Sequence, residues 1–191
     1  MSPVAQAKSP VHNLRSALAR LVEERALFLG EFKSPSGDRS DYYIDMAMIF
    51  TEPTSLEIAV SLTLEELAKL QVEKIASPSV EADPIVAVVG MYAKLGSLFI
   101  HQGEAIYAYE KLENLLSRGR RVAIIADVTL SGNTVLSAAR ALRSAGAEVR
   151  TAITLVDLQK GAGDLLVGNG IRLIPLVEAK DIRLPRSVRM A

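Results

Sequence analysis

At 191 residues the chain is long enough for one sizeable buried core and cramped for two independent ones. Apolar residues make up 49% and charged residues 23%, which excludes disorder for most of the chain. Lys plus Arg and Asp plus Glu balance at 22 each, so no global field favours a nucleic-acid backbone or an anionic membrane. The lack of cysteine excludes disulfides, thiolate metal sites and cysteine nucleophiles.

In chain order, residues 1–10 are small and polar and are expected to form a flexible arm. Leu14, Leu18, Leu21 and Val22 then recur at helical spacing and predict an amphipathic helix over 11–26. A strand over 28–32, a Ser-Pro-Ser-Gly-Asp turn at 34–38 and a strand over 41–46 predict a hairpin. Pro53 suits a helix start, and Leu56, Ala59, Val60, Leu64 and Leu67 carry the period to about Leu70. Beyond a loop over 77–84, the runs at 85–90, 105–109 and 122–126 are apolar without alternation, the pattern of strands buried on both faces. Helices are expected near 94–101 and over 133–145, and further strands over 149–156 and 171–177. Strands alternating with helices indicate an α/β domain spanning 11–180, followed by a basic tail over 181–191. No apolar stretch approaches the roughly 18 residues of a membrane span. With no apolar leader at the start, a cytoplasmic protein is expected.

The most informative unit is residues 121–134, Arg-Val-Ala-Ile-Ile-Ala-Asp-Val-Thr-Leu-Ser-Gly-Asn-Thr. A buried strand leads into Asp127, and Val128, Thr129, Leu130, Ser131, Gly132, Asn133 and Thr134 make a hydroxyl-bearing turn that opens a helix. Unpaired N–H groups at a helix N-terminus favour an anion, the hydroxyls of Thr129, Ser131 and Thr134 can add donors, and Asp127 is placed to accept from sugar hydroxyls. The plainer alternative is an N-capping turn without a ligand.

This unit resembles the phosphoribosyl-diphosphate motif of type I phosphoribosyltransferases, in which a strand runs into two acidic residues and a Thr/Ser-Gly phosphate loop. Upstream, Glu31-Phe32 through Ser36-Gly37-Asp38-Arg39-Ser40-Asp41-Tyr42-Tyr43-Ile44-Asp45 is similar to the stretch particular to orotate phosphoribosyltransferases. The resemblance implies an α/β fold with a five-stranded parallel sheet. Its core would span about 53–177, under a hood built from 11–48 and the C-terminal segment. It also implies a homodimer, a nucleotide or phosphoribosyl ligand, and Mg2+ brought with phosphoribosyl diphosphate. By the same resemblance Asp127 and Lys33 are catalytic candidates, Tyr42 and Tyr43 face the base, and Gly90, Met91, Tyr92 and Lys94 form the diphosphate loop after the first core strand. No protein-held metal is implied.

The chain departs from that pattern where charge matters most. The acidic pair is reduced to Ala126-Asp127, Pro35 stands where a lysine precedes Ser-Gly, and Met91, Tyr92 and Leu95 add bulk to the diphosphate loop. The mobile closing loop is expected to be deleted between Tyr109 and Arg121. Hood packing is the plainer reading of Tyr42 and Tyr43, and a solvated surface that of Lys94, Lys111, His12 and His101. The expectation is therefore a ligand-binding member of the family with weak or absent catalysis. The alternatives are an active enzyme making orotidine 5'-monophosphate, with Lys33, Lys94 and Lys111 as substitute cations, and a ligand-responsive regulator. A nucleic-acid partner is not expected.

Overall fold

The computed structural model describes residues 10–33, 39–100 and 119–184. The turn at 34–38, the strand expected over 105–109, the closing loop, His101, Lys111 and most of the basic tail lie outside them, as does the side chain of His12. Among the described residues, helix α1 (Pro10–Leu21) runs into a π-helical turn (Val22–Ala26), and strands β1 (Leu27–Lys33) and β2 (Arg39–Ile44) form an antiparallel pair. The short helix α2 (Ala47–Phe50) leads to α3 (Pro53–Leu67). The Glu52 side chain caps α3 by accepting from the N–H groups of Thr54 at 3.3 Å and Ser55 at 2.7 Å, with Pro53 pre-set for the first turn.

The core then alternates: β3 (Lys74–Ser77), a 3-10 turn (Val80–Ala82), α4 (Asp83–Ala93), β4 (Gly96–Phe99), β5 (Arg121–Thr129), α5 (Asn133–Ser144), β6 (Glu148–Asp157), α6 (Ala162–Gly168) and β7 (Arg172–Glu178). The five core strands are parallel in the order β4-β3-β5-β6-β7. Ala123 and Ile125 on β5 join the apolar cluster with α1, α3 and α4, whereas Val122, Ile124 and Ala126 join the cluster with α5 and α6. Both faces of β5 are thus buried, as its unbroken apolar run requires.

Two expectations fail here. Residues 85–90 belong to the helix α4, and the stretch near 94–101 contributes the edge strand β4 instead of a helix. A short apolar run satisfies either a buried strand or a buried helix, and Pro84 in the first turn decides for the helix. Burial at Ile85, Val86, Val89 and Gly90 follows a helical stripe. The first core strand is therefore β3, four residues long, which the sequence reading passed over.

Arg15 ties α1 to the core. Its guanidinium donates to the Pro175 and Leu176 carbonyls, both at 3.0 Å, and to the Glu66 carboxylate at 2.6 Å. Burial alone would raise the Glu66 carboxyl, but Lys69 and Arg15 hold it below the usual carboxylate range. Arg15→Ala is expected to cost about 1–3 kcal/mol, since it strips two carbonyls of their donor and leaves the buried Glu66 carboxylate with Lys69. Urea unfolding checks this: an unchanged midpoint would show that the hood is held by its apolar contacts alone.

Candidate functional site

The strand order gives the site its place. From β3 the chain crosses outward to β4 and then back to β5 on the other side, so β3 and β5 flank a topological switch point, where open α/β sheets bind ligands at their carboxyl edge. Beyond that edge lie the 3-10 turn after β3 and the turn after β5. The former packs against β5.

Asp127 is carried on β5 itself, which continues to Thr129 through the pairs Val128 with Val156 and Thr129 with Asp157. The turn proper is therefore only residues 130–132. Gly132 caps α5 with φ +81°, and its carbonyl accepts the Leu136 N–H at 2.9 Å. No side chain caps this end, so the first N–H groups of α5 remain available for an anion. Leu130, Ser131, Asn133 and Thr134 are exposed there, and the Asn133 amide donates to the Ser131 hydroxyl at 3.1 Å. Thr129 does not contribute the donor expected of it. It is 3% exposed, and its hydroxyl donates to Thr154 Oγ1 at 2.8 Å, which in turn donates to the Val156 carbonyl at 3.0 Å. That chain, with the Leu158 N–H on the Thr129 carbonyl at 2.9 Å, fixes the turn from beneath.

Burial pushes the Asp127 carboxyl up to about 6. The N–H groups of Val128 and of Asp127 itself act against this, and the carboxylates of Glu81 and Asp45 add to it. The Tyr43 phenol is also raised, first by burial and then by Asp45, Asp127 and Glu81. The four residues thus form one electrostatic neighbourhood. Carboxylate oxygens suit a hard cation such as Mg2+. Among the described residues, however, no three acidic or imidazole groups are grouped closely enough to hold a metal. The described residues therefore offer no ready-made magnesium site.

The remaining candidates separate clearly. Tyr43 is about half exposed, with its ring 5.7 Å from that of Phe32, and it feels the charges of Asp45, Asp127 and Glu81. Tyr42 does not, being 4% exposed within the core with Lys160 Nζ 5.9 Å from its ring centroid, because neighbouring residues on a strand face opposite ways. Lys33 pairs with Arg39 at the far end of the hairpin, roughly 13 Å along the strand from Tyr43. Gly90, Met91, Tyr92 and Lys94 lie at the opposite edge of the sheet, since α4 runs back from the carboxyl edge and Gly96 pairs with Lys74 at the start of β3. Gly90 is there for packing: a Cβ would meet Ser97 Oγ at 2.1 Å and the Leu95 carbonyl at 3.1 Å. Lys94 closes α4 in the left-handed conformation. The turn that does follow the first core strand contains Glu81, a residue the sequence reading missed because it missed β3.

A parallel five-stranded sheet with this strand order, flanked by helices under a small hood, is the type I phosphoribosyltransferase fold, and solved structures agree. Orotate phosphoribosyltransferase from Aeropyrum pernix superposes with a TM-score of 0.71 at 29% identity, covering 85% of this chain and 95% of that one. Adenine phosphoribosyltransferase from Thermoanaerobacter pseudethanolicus shares the fold at a TM-score of 0.64 and 16% identity, covering 78% of this chain and 95% of that one. Among sequences, orotate phosphoribosyltransferase of Methanothermobacter thermautotrophicus is 36% identical over 177 residues, 92% of this chain and 97% of that protein. The Methanopyrus kandleri protein of the same name is 34% identical over 173 residues, 91% of this chain and 93% of that one. No protein-family model matches the chain. The chain belongs to the orotate phosphoribosyltransferase family.

Proposed function

We propose that this family member binds a 5'-phosphorylated ribose ligand, with the phosphate on the N-terminal turn of α5 and the ribose hydroxyls on Asp127, and that it transfers the pentosyl group slowly or not at all. The observation that carries the reading is the pairing of an uncapped, glycine-turned helix N-terminus with a neighbouring carboxylate whose charged surroundings, among the described residues, are themselves carboxylates. Transfer with loss of diphosphate calls for positive charge where the leaving group departs. Asp45 and Glu81 put the opposite charge beside Asp127.

An active orotate phosphoribosyltransferase is the second reading, favoured by 36% identity to a protein of that name over 92% of this chain. Of its substitute cations, Lys94 is at the wrong edge of the sheet, and Lys111 lies outside the described residues. A homodimer belongs to either reading, and the exposed Met91, Tyr92 and Phe99 on α4 and β4 offer it an apolar face. A cytoplasmic setting fits too: among the described residues no helix is long and apolar enough to cross a membrane.

The deciding experiment follows orotate consumption with phosphoribosyl diphosphate and Mg2+, and phosphate-ligand binding by calorimetry on the same sample. Saturable binding with little turnover is expected. Rapid consumption that is lost in Asp127→Ala would establish the enzyme instead.

A further inference from the structure

We propose that Asp45, Glu81 and Asp127 make this a site for a ribose ligand phosphorylated at one end only, and that Glu81 is the residue that sets it against a diphosphate-bearing donor. The inference rests on the reading above that the α5 turn takes a 5'-phosphate.

Three separate elements bring the carboxylates to one edge. Asp127 stands at the carboxyl end of β5. Glu81 stands on the 3-10 turn that follows β3, the strand directly beside β5. That turn is closed at its base, where the Ser77 hydroxyl donates to the Asp83 carboxylate and the Ala82 N–H donates to the Ser79 carbonyl at 3.2 Å, so the exposed Glu81 is held in place without being buried. Asp45 follows β2, its N–H on the Ala26 carbonyl at 2.9 Å and its Oδ1 accepting the Ala47 N–H at 3.0 Å. Tyr43, one turn of the pleat away, responds to all three charges.

A ribose monophosphate places its charge at one end, in the α5 turn, and presents neutral hydroxyls to Asp127. A donor carrying diphosphate at the anomeric carbon adds several negative charges at the opposite end of the ring, toward the β3 side of the switch point. Glu81 occupies that side. Like charges set against each other across a binding site cost enough to reverse a preference, and here one member of the clash is a single exposed side chain. Three cations near the hood and sheet edge are engaged elsewhere: Arg15 donates to the Pro175 and Leu176 carbonyls, Lys160 lies over Tyr42 and Lys180 pairs with Glu178.

The test is calorimetry with ribose 5-phosphate and with phosphoribosyl diphosphate, each with and without Mg2+, on the full chain and on Glu81→Gln. Exposure makes this variant safe for folding. Ribose 5-phosphate is expected to bind about tenfold or more tighter than the diphosphate donor to the unaltered protein. Glu81→Gln is expected to narrow that ratio about tenfold, through tighter binding of the donor, while ribose 5-phosphate affinity stays within about twofold. Equal or tighter binding of the donor by the unaltered protein, with or without Mg2+, overturns the proposal, and so does an unchanged ratio in Glu81→Gln. If neither compound binds, the phosphate turn itself fails, a result distinct from a lost preference between two bound ligands.

Discussion

Gly132→Val is expected to abolish phosphate-ligand binding and to lower the melting temperature by several degrees. Position 132 holds φ +81° and ψ 0°, a conformation that costs a side chain about 1–3 kcal/mol and a β-branched one toward the upper end. Space is short as well. A Cβ there would meet Ala162 Cα at 3.2 Å, Ala162 Cβ at 3.3 Å and the Ala162 carbonyl at 3.4 Å. The turn must therefore move, taking the first N–H groups of α5 out of register with any bound anion. Thermal unfolding and calorimetry with ribose 5-phosphate measure the two effects. Gly163→Ala is the control, because an added Cβ at that position meets open space. A Gly132→Val protein that still bound phosphate as before would mean the anion sits elsewhere.

Asp127→Asn is expected to stabilise the protein above neutrality and to leave it unchanged in acid. The Asp127 carboxyl is raised from 3.8 to about 6 in the folded state. A carboxyl raised on folding favours the folded state fully below its unfolded value. That contribution is lost as pH climbs from about 4 through about 6, leaving the ionised group as a net burden at higher pH. Partial exposure of the residue discounts the burden to on the order of 2 kcal/mol. Asparagine carries no charge to desolvate and none for Glu81 and Asp45 to repel. Denaturant midpoints at pH 4 and pH 8 check the sign: coincidence of the two proteins at low pH with a gain for the variant at high pH is the expected pattern. A loss of stability at pH 8 would show that a cation outside the described residues neutralises Asp127.

Much of the architecture was legible in the residues. The run at 122–126 is apolar without alternation because both faces of β5 are covered, and Gly132 ahead of Thr134 and Val135 announced the start of α5. The misplaced diphosphate loop has one physical root. Strand β3 is only four residues long and contains Ala76 and Ser77, so its signal is faint, while α4 is apolar enough to pass for a buried strand. Taken as the first core strand, α4 would put the loop that follows it at the carboxyl edge, whereas that loop lies at the amino edge and the diphosphate-facing turn follows β3. The Asp83-Pro84 pair was the available clue. The tyrosines show a different limit. Alternation along β2 dictates that Tyr42 and Tyr43 face apart, but which of them enters the core depends on the hairpin's packing, and that is a tertiary fact.

The closeness of Ala162 to the place a side chain at 132 would occupy makes the proposed anion turn a shared property of two helices distant in the chain. The alanine at the start of α6 sets how far the α5 cap can relax, so enlarging position 162 should reshape the cradle as surely as altering the glycine. Anyone seeking to retune this protein toward a bulkier anion would have to vary both positions together, since neither has slack of its own.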